Sequence, residues 1–220
     1  MRNFFAQLFG GSCFLCRGGA ADLLCKACDA DLPRLAEPGC PRCALPSPRG
    51  EVCGRCLHEA PHYDATIAAL AYAFPADVLV HALKFRGELA LAGLLGNILS
   101  QRIDPLSVDM VIPVPLSAAR LRERGYNQAV EIARAVLPAK LDLALCMRSR
   151  DTPAQTDLPD AERRRNVRGA FRCTRALAGQ GVAVIDDVMT TGATLEEMAA
   201  VLKDAGAGRV VNWVVARTFR

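Results

Sequence analysis

Two groups of residues in this 220-residue chain have the types and spacing for chemistry. The first is the run Val182-Ala183-Val184-Ile185-Asp186-Asp187-Val188-Met189-Thr190-Thr191-Gly192-Ala193-Thr194. An apolar, β-type stretch ends in two adjacent carboxylates. A short Thr/Gly turn follows, and a helical pattern opens at Thr194-Leu195-Glu196-Glu197. Ionised carboxylates only accept hydrogen bonds, so Asp186 and Asp187 suit the hydroxyls of a vicinal diol. The turn leads into a helix N-terminus, where free N–H groups and the helix dipole favour an anion. Gly192 permits a tight turn and close backbone approach. Together the parts suit a ribose that carries a 5′-phosphate.

The second group is cysteine. Eight of the ten cysteines form four Cys-x-x-Cys pairs: Cys13/Cys16, Cys25/Cys28, Cys40/Cys43 and Cys53/Cys56. In a reducing compartment such pairs argue for metal rather than disulfides. Zn²⁺ takes four thiolates tetrahedrally, so eight cysteines make two structural Cys₄ sites. The halves repeat one spacing, which favours sequential pairing over an interleaved one. Fe–S ligation is the alternative chemistry. Thioredoxin-like redox is disfavoured, because the pairs run in tandem without a β-α-β context. Cys146 ends an apolar run and reads as a small buried side chain.

The elements that must position these groups follow from periodicity and turn signals. Residues 65–74 read as a strand, and Pro75 suits the first turn of a helix reaching Leu83. Residues 89–99 repeat apolar positions at helical spacing. Residues 109–115 read as a buried strand stopped by prolines. Ser117 caps a helix that breaks near Gly125 and resumes from Gln128 to Ala135. Residues 141–146 are expected as a strand, and 148–172 as a long polar segment with no core face. Residues 181–185 form the strand that delivers the aspartates. Residues 194–204 form a helix ended by Gly206, and 209–216 the last strand. Strands alternating with helices imply an α/β fold, doubly wound about a mostly parallel sheet. Ligands of such sheets bind beyond the carboxyl ends of the strands, where Asp186 and Asp187 fall. The chain divides into a Cys-, Pro- and Gly-rich module over 1–61 and an α/β domain over 62–220.

Composition sets the outer limits. Hydrophobic residues make up 51%, enough for a packed core. The apolar stretch over 65–74 is too short to span a bilayer. The first nine residues read as a short packing helix rather than a signal peptide, which implies a cytoplasmic protein. The net charge of +4 is uneven. Residues 116–175 hold 13 Lys/Arg against 7 Asp/Glu, so a polyanionic ligand is expected to meet that segment.

The run over 182–194 resembles the phosphoribosyl-diphosphate (PRPP) signature of type I phosphoribosyltransferases. A wider set of motifs resembles the ComF family of bacterial competence-associated, phosphoribosyltransferase-like proteins. These are Pro113-Val114-Pro115-Leu116, Arg122-x-Arg124-Gly125-Tyr126-Asn127-Gln128, Arg150 with Gln155, Arg164-x-Asn166-Val167, Gly169-Ala170-Phe171 and Leu83-Lys84-Phe85. The cysteine-rich N-terminus completes the likeness, which covers nearly the whole chain.

The resemblance implies a type I phosphoribosyltransferase fold behind a double zinc ribbon. It implies that Asp186 and Asp187 hold the ribose hydroxyls and act in catalysis. Thr190, Thr191, Gly192, Ala193 and Thr194 would hold the 5′-phosphate. Pro113, Val114 and Pro115 would lie beside the pyrophosphate, with Arg124 and, from the loop over 148–172, Arg150 and Arg164 as its basic candidates. Mg²⁺ would arrive with PRPP. The implied function is transfer or sensing of ribose 5-phosphate in competence and DNA uptake, and no stretch declares the acceptor. The other reading is a non-catalytic accessory protein that handles single-stranded DNA, with competence proteins as partners. Against it, Tyr126 and Phe171 are the only aromatic residues in the basic segment.

Overall fold

The computed structural model describes residues 11–35, 39–150 and 165–219. The cysteine module carries β1 (Gly11–Ser12), β2 (Gly19–Ala20), α1 (Lys26–Ala30) and α2 (Gly54–His58). The chain then runs β3 (Ala65–Ala71), α3 (Ala76–Phe85), α4 (Ala90–Ser100), β4 (Met110–Pro113), α5 (Ala118–Arg124) and α6 (Gln128–Val136). It closes with β5 (Cys146–Arg148), β6 (Phe171–Cys173), β7 (Gly181–Met189), α7 (Ala193–Asp204) and β8 (Arg209–Arg217). The packing helix expected over residues 1–9 lies outside the described residues.

Four strands form an all-parallel sheet in the order β3-β8-β7-β4. The inner pair β7 and β8 is in register from Gly181↔Arg209 to Met189↔Arg217. Their near-continuous apolar runs suit strands covered on both faces. Val182 and Val184 face a cluster containing Leu195, Met198 and Leu202 of α7. Ala183 and Ile185 face Leu79 and Leu83 of α3, Leu95 of α4 and Ile132 of α6. Period-two alternation therefore sorts one strand into two cores, with helices on both faces. Sheet-edge β4 ends at Pro113, where a missing N–H costs no ladder bond.

Local capping explains the motif-bearing helices. Ser117 accepts from the Arg120 N–H at 3.3 Å, and Gly125 ends α5 with φ +79°. Asn127 starts α6 by accepting from the Ala129 N–H at 2.9 Å. Two expectations need correcting. Residues 141–146 do not form the expected strand: Asp142 Oδ1 accepts from the N–H groups of Ala144 and Leu145 and turns the chain. The strand begins only at Cys146, which pairs across to Cys173 in the small antiparallel sheet β5-β6. The strand expected over 181–185 runs on to Met189, so the aspartates lie inside β7.

The cysteine module clasps the sheet. Cys13, Leu24 and Leu32 join the core beneath α3 and α4, whereas Cys40, Cys43 and Cys56 join the one beneath α7. Between them the chain runs along edge strand β3. The Leu35 N–H donates to Ala69 O, the Ala71 N–H to Pro33 O and the Thr66 N–H to Pro41 O. This closes an edge that would otherwise present unpaired backbone groups.

The sulfurs of Cys13, Cys16, Cys25 and Cys28 all lie within 4.8 Å of one another, as do those of Cys40, Cys43, Cys53 and Cys56. Pairing is thus sequential. Tetrahedral Zn–S bonds of about 2.3 Å set sulfurs roughly 3.8 Å apart. Cys16 and Cys25 stand 3.7 Å apart, and Cys43 and Cys53 3.6 Å. The donor sets therefore fit Zn²⁺. The thiols of one set also compete for protons. Backbone N–H groups hold Cys13 down to about 6, while its neighbours Cys16 and Cys25 push Cys28 up to about 12. A dication removes that conflict by deprotonating all four.

Two predictions follow from this architecture. Metal analysis will give two zinc ions per chain, and a strong chelator will lower Tm; a loss of only about 3 kcal/mol corresponds to roughly 6–12 °C at this size. An unchanged melting curve after demonstrated metal loss would contradict the structural role. A Cβ added at Gly96 would stand 2.7 Å from Ala135 Cβ and 3.1 Å from Ile132 O. Gly96→Val should therefore destabilise the α4–α6 contact by about 1–3 kcal/mol in urea denaturation.

Candidate functional site

At the carboxyl end of β7 opens a cleft of about 570 Å³, with Asp186, Asp187, Thr190, Gly192, Ala193 and Thr194 among its lining residues. Successive strand residues point to opposite faces, so the aspartates diverge. Asp187 lies on the α3 side and is buried to 2% exposure. Its Oδ1 accepts from the Val188 N–H at 2.7 Å, and its Oδ2 stands 2.9 Å from Lys84 Nζ. Lys84 is the partner Oδ2 has in this buried position. Burial works against the Lys84 charge, but Asp187 and Asp186 outweigh it and hold its pKa above the ordinary lysine value. For Asp186, burial, reinforced by the Asp187 charge, pushes the carboxyl up to about 8. Asp186 Oδ1 accepts from the Asp187 N–H at 2.9 Å.

The arrangement of side chains around the cleft comes from a bracket of hydrogen bonds. Asn127 Nδ2 donates to Val114 O at 2.9 Å, fixing the segment after β4. The Val114 N–H donates to Ile185 O at 2.9 Å, which holds that segment beside Asp186. The Tyr126 hydroxyl donates to Leu83 O and so anchors the end of α3 next to Lys84. Arg124 donates to Gln128 Oε1 and lies 5.4 Å over the Phe85 ring. Of the Pro113-Val114-Pro115 segment, Val114 lines the cleft.

The turn after β7 is shaped by Gly192, which adopts φ +86° as the N-cap of α7. A Cβ there would meet Met189 Cε at 2.6 Å. Thr191 Oγ1 accepts from the Ala193 N–H at 3.3 Å. Thr191 faces a neighbouring hollow lined by Arg55 and Tyr63 rather than the main cleft. Behind the turn lies Arg217 at 1% exposure. Its Nε donates to Cys43 O at 3.0 Å, and one terminal nitrogen donates to Met189 O at 2.9 Å, to Thr218 O at 2.8 Å and to Thr190 O. Burial lowers its pKa. Arg55 of α2 donates to Thr191 O at 2.8 Å.

The basic candidates separate. Arg124 lines the cleft. Arg150 does not: it donates to Asn166 O at 3.3 Å and to Arg168 O at 2.6 Å, holding two loop segments together. Arg148 takes a place in the cleft wall, with its guanidinium 5.3 Å over Phe171. Arg164 lies outside the described residues. Three contributors carry no role in the sequence reading: Lys84, Arg148 and Arg217. Lys84 had a signal, since it sits in the Leu83-Lys84-Phe85 motif. Arg217, at the end of an apolar strand, had none.

Residues 4–57 match the family model of the double zinc ribbon domain. The chain is 33% identical to DNA utilization protein YhgH of Escherichia coli O157:H7, over 95% of this chain and 98% of that one. It is 30% identical to Competence protein F of Haemophilus influenzae, over 99% and 100%. Among solved structures, a purine phosphoribosyltransferase from Pyrococcus horikoshii aligns at 17% identity and TM-score 0.33, over 69% of this chain and 78% of that one. With relatives matched over nearly their whole length and two cysteine sets assembled in the segment that matches the double zinc ribbon, the chain belongs to the ComF family, that of Competence protein F and the DNA utilization proteins.

Proposed function

We propose that the cleft binds PRPP, and that the protein transfers or senses ribose 5-phosphate in the handling of DNA during competence. One observation carries the reading: the aspartates at the end of β7 and the turn at the start of α7 line a single cleft. In this reading Asp186 and Asp187 accept from the ribose hydroxyls. Thr190, Gly192, Ala193 and Thr194 receive the 5′-phosphate at the helix N-terminus, and Thr191, whose side chain faces the neighbouring hollow, contributes through its backbone alone. Lys84, Arg120, Arg124 and Arg148 give the cleft wall the positive charge that a diphosphate requires. The names of the relatives, DNA utilization and competence, supply the biological setting.

Among the described residues, only the cysteine sets gather three or more candidate metal ligands. Mg²⁺ therefore fits as an ion carried by the diphosphate, with a carboxylate or two of the chain beside it. When bound, it would neutralise charge on the leaving group. The chain's own part is to orient the sugar, bind both phosphate ends and keep Asp186 ready to give up its proton.

Titration calorimetry with PRPP and Mg²⁺ tests this. Above pH 8, wild type should bind, and Asp186→Asn should bind roughly 10- to 100-fold more weakly, the cost of losing a charged hydrogen bond. Absence of binding by wild type would overturn the proposal.

The pH dependence has a defined sign. Because the Asp186 carboxyl sits near 8, it holds a proton at pH 6 that must leave before it can accept from two hydroxyls. Affinity should rise with pH from 6 to 8 by up to about tenfold per unit, then level off. Asp186→Asn should flatten the rise. Stability without ligand runs the other way: the folded chain keeps a proton that the unfolded chain has released. The fold should thus lose stability as pH climbs from the ordinary carboxylate range to about 8.

A further inference from the structure

A guanidinium as buried as Arg217 normally has a carboxylate beside it, because an unpaired buried charge is costly. Arg217 bonds instead to four main-chain carbonyls: Cys43, Met189, Thr190 and Thr218. One belongs to the second cysteine set, and two belong to consecutive residues, Met189 at the end of β7 and Thr190 at the start of the turn. The third consecutive carbonyl, Thr191 O, accepts from Arg55, which lies between Cys53 and Cys56. The turn is thus gripped from behind at three successive peptide units by groups tied to one metal site.

Peptide geometry turns that grip into a consequence for the cleft. In a planar trans peptide the C=O of one residue and the N–H of the next point in opposite directions. Carbonyls 189 and 190 are drawn toward Arg217, itself bonded to Cys43 O of the ribbon, and carbonyl 191 toward Arg55. The N–H groups of Thr190, Thr191 and Gly192 therefore turn the other way, toward the cleft lined by Thr190, Gly192 and Ala193. Successive N–H groups facing one side make a concavity for an anion. The φ of +86° at Gly192 and the bond from the Ala193 N–H to Thr191 Oγ1 belong to the same constrained turn.

We propose that the second zinc ribbon is a working part of the sugar-phosphate site. Arg55 and Arg217 are positioning residues that aim the turn's amides at the 5′-phosphate. The claim rests on the reading of the cleft given above. It assigns the ribbons different duties: the first, on the opposite face of the sheet, has no such link to the turn among the described residues.

Arg55→Ala is the discriminating variant, because Arg55 is exposed and its removal leaves both cores intact. The variant should keep two zinc ions and a Tm within about 2 °C of wild type, as expected of a surface change. By calorimetry it should bind ribose 5-phosphate roughly tenfold more weakly, while affinity for Mg²⁺–inorganic diphosphate stays the same. Arg55→Lys, which can still donate, should recover part of the loss. In ligand-free ¹H–¹⁵N spectra the Arg55→Ala change should shift the amide signals of Thr191 and Gly192. Unshifted signals, or unchanged ribose 5-phosphate affinity in a wild type that binds it, would overturn the inference. If wild type binds neither PRPP nor ribose 5-phosphate, the cleft's assignment falls instead, and the spectra still decide whether the ribbon holds the turn.

Discussion

A carboxylate inside a parallel sheet needs a cation, and the architecture of this protein turns on how Asp187 obtains one. β7 carries two charged residues into a region where its neighbours are apolar on both faces. Alternation sends Asp187 toward α3, and the last turn of α3 answers with Lys84 at 2.9 Å. Lys84 must stay there despite its own desolvation, so the end of α3 has to be fixed. Tyr126 does this through Leu83 O, and Asn127, its neighbour in sequence, fixes the segment after β4 through Val114 O. The Arg-Gly-Tyr-Asn-Gln motif is therefore a frame around a buried ion pair as well as one wall of the cleft. Breaking a buried pair costs far more than the pair contributes, because the remaining charge stays unpaired. That asymmetry explains why so many hydrogen bonds converge on so small a region.

The zinc ribbons solve a different problem with the same economy of parts. Short segments such as Lys26–Ala30 and Gly54–His58 are single helical turns, well below the length at which a helix holds itself. Metal coordination supplies the order that an apolar core cannot. Once ordered, the ribbons contribute Cys13, Leu24 and Leu32 to one face of the sheet and Cys40, Cys43 and Cys56 to the other. The composition changes near residue 61, but both cores run across that point.

Legibility in the sequence followed the range of the signal. Cys-x-x-Cys spacing is local chemistry, and it gave both metal sets. Ser117, Gly125 and Gly192 are local backbone signals, and each marks a helix end in the structure. The apolar runs gave the parallel sheet because strands buried on both faces need no partner to be recognised. Residues 141–146 failed because an apolar run does not specify a strand when Asp142 can cap its own turn. Lys84 and Arg217 escaped for a common reason. Apart from the Thr218 carbonyl, each meets its partners across more than 25 residues of chain; the Leu83-Lys84-Phe85 motif marks Lys84 without naming its partner, and nothing beside Arg217 marks it. Arg148 and Arg150 are two residues apart, and only tertiary structure decides which one faces the cleft.

The two long-range contacts have one physical logic. Lys84 and Arg217 lie on opposite sides of the same strand end, one meeting a side-chain carboxylate and the other main-chain carbonyls. Between them they fix the two features that the proposed sugar-phosphate site uses: the Asp187 carboxylate and the backbone of the turn after β7. Neither cation can be exchanged for a neutral residue without leaving oxygen atoms unsatisfied, and a buried acceptor without a donor loses about 1–3 kcal/mol. Precision at the strand end is thus a by-product of burying charge. Each cation is held in part by the oxygens it meets, and each oxygen is aimed in part because the cation holds it. Bonds made within the chain hold this strand end without a ligand, and preordering of that kind lowers the cost of binding a small, highly charged molecule.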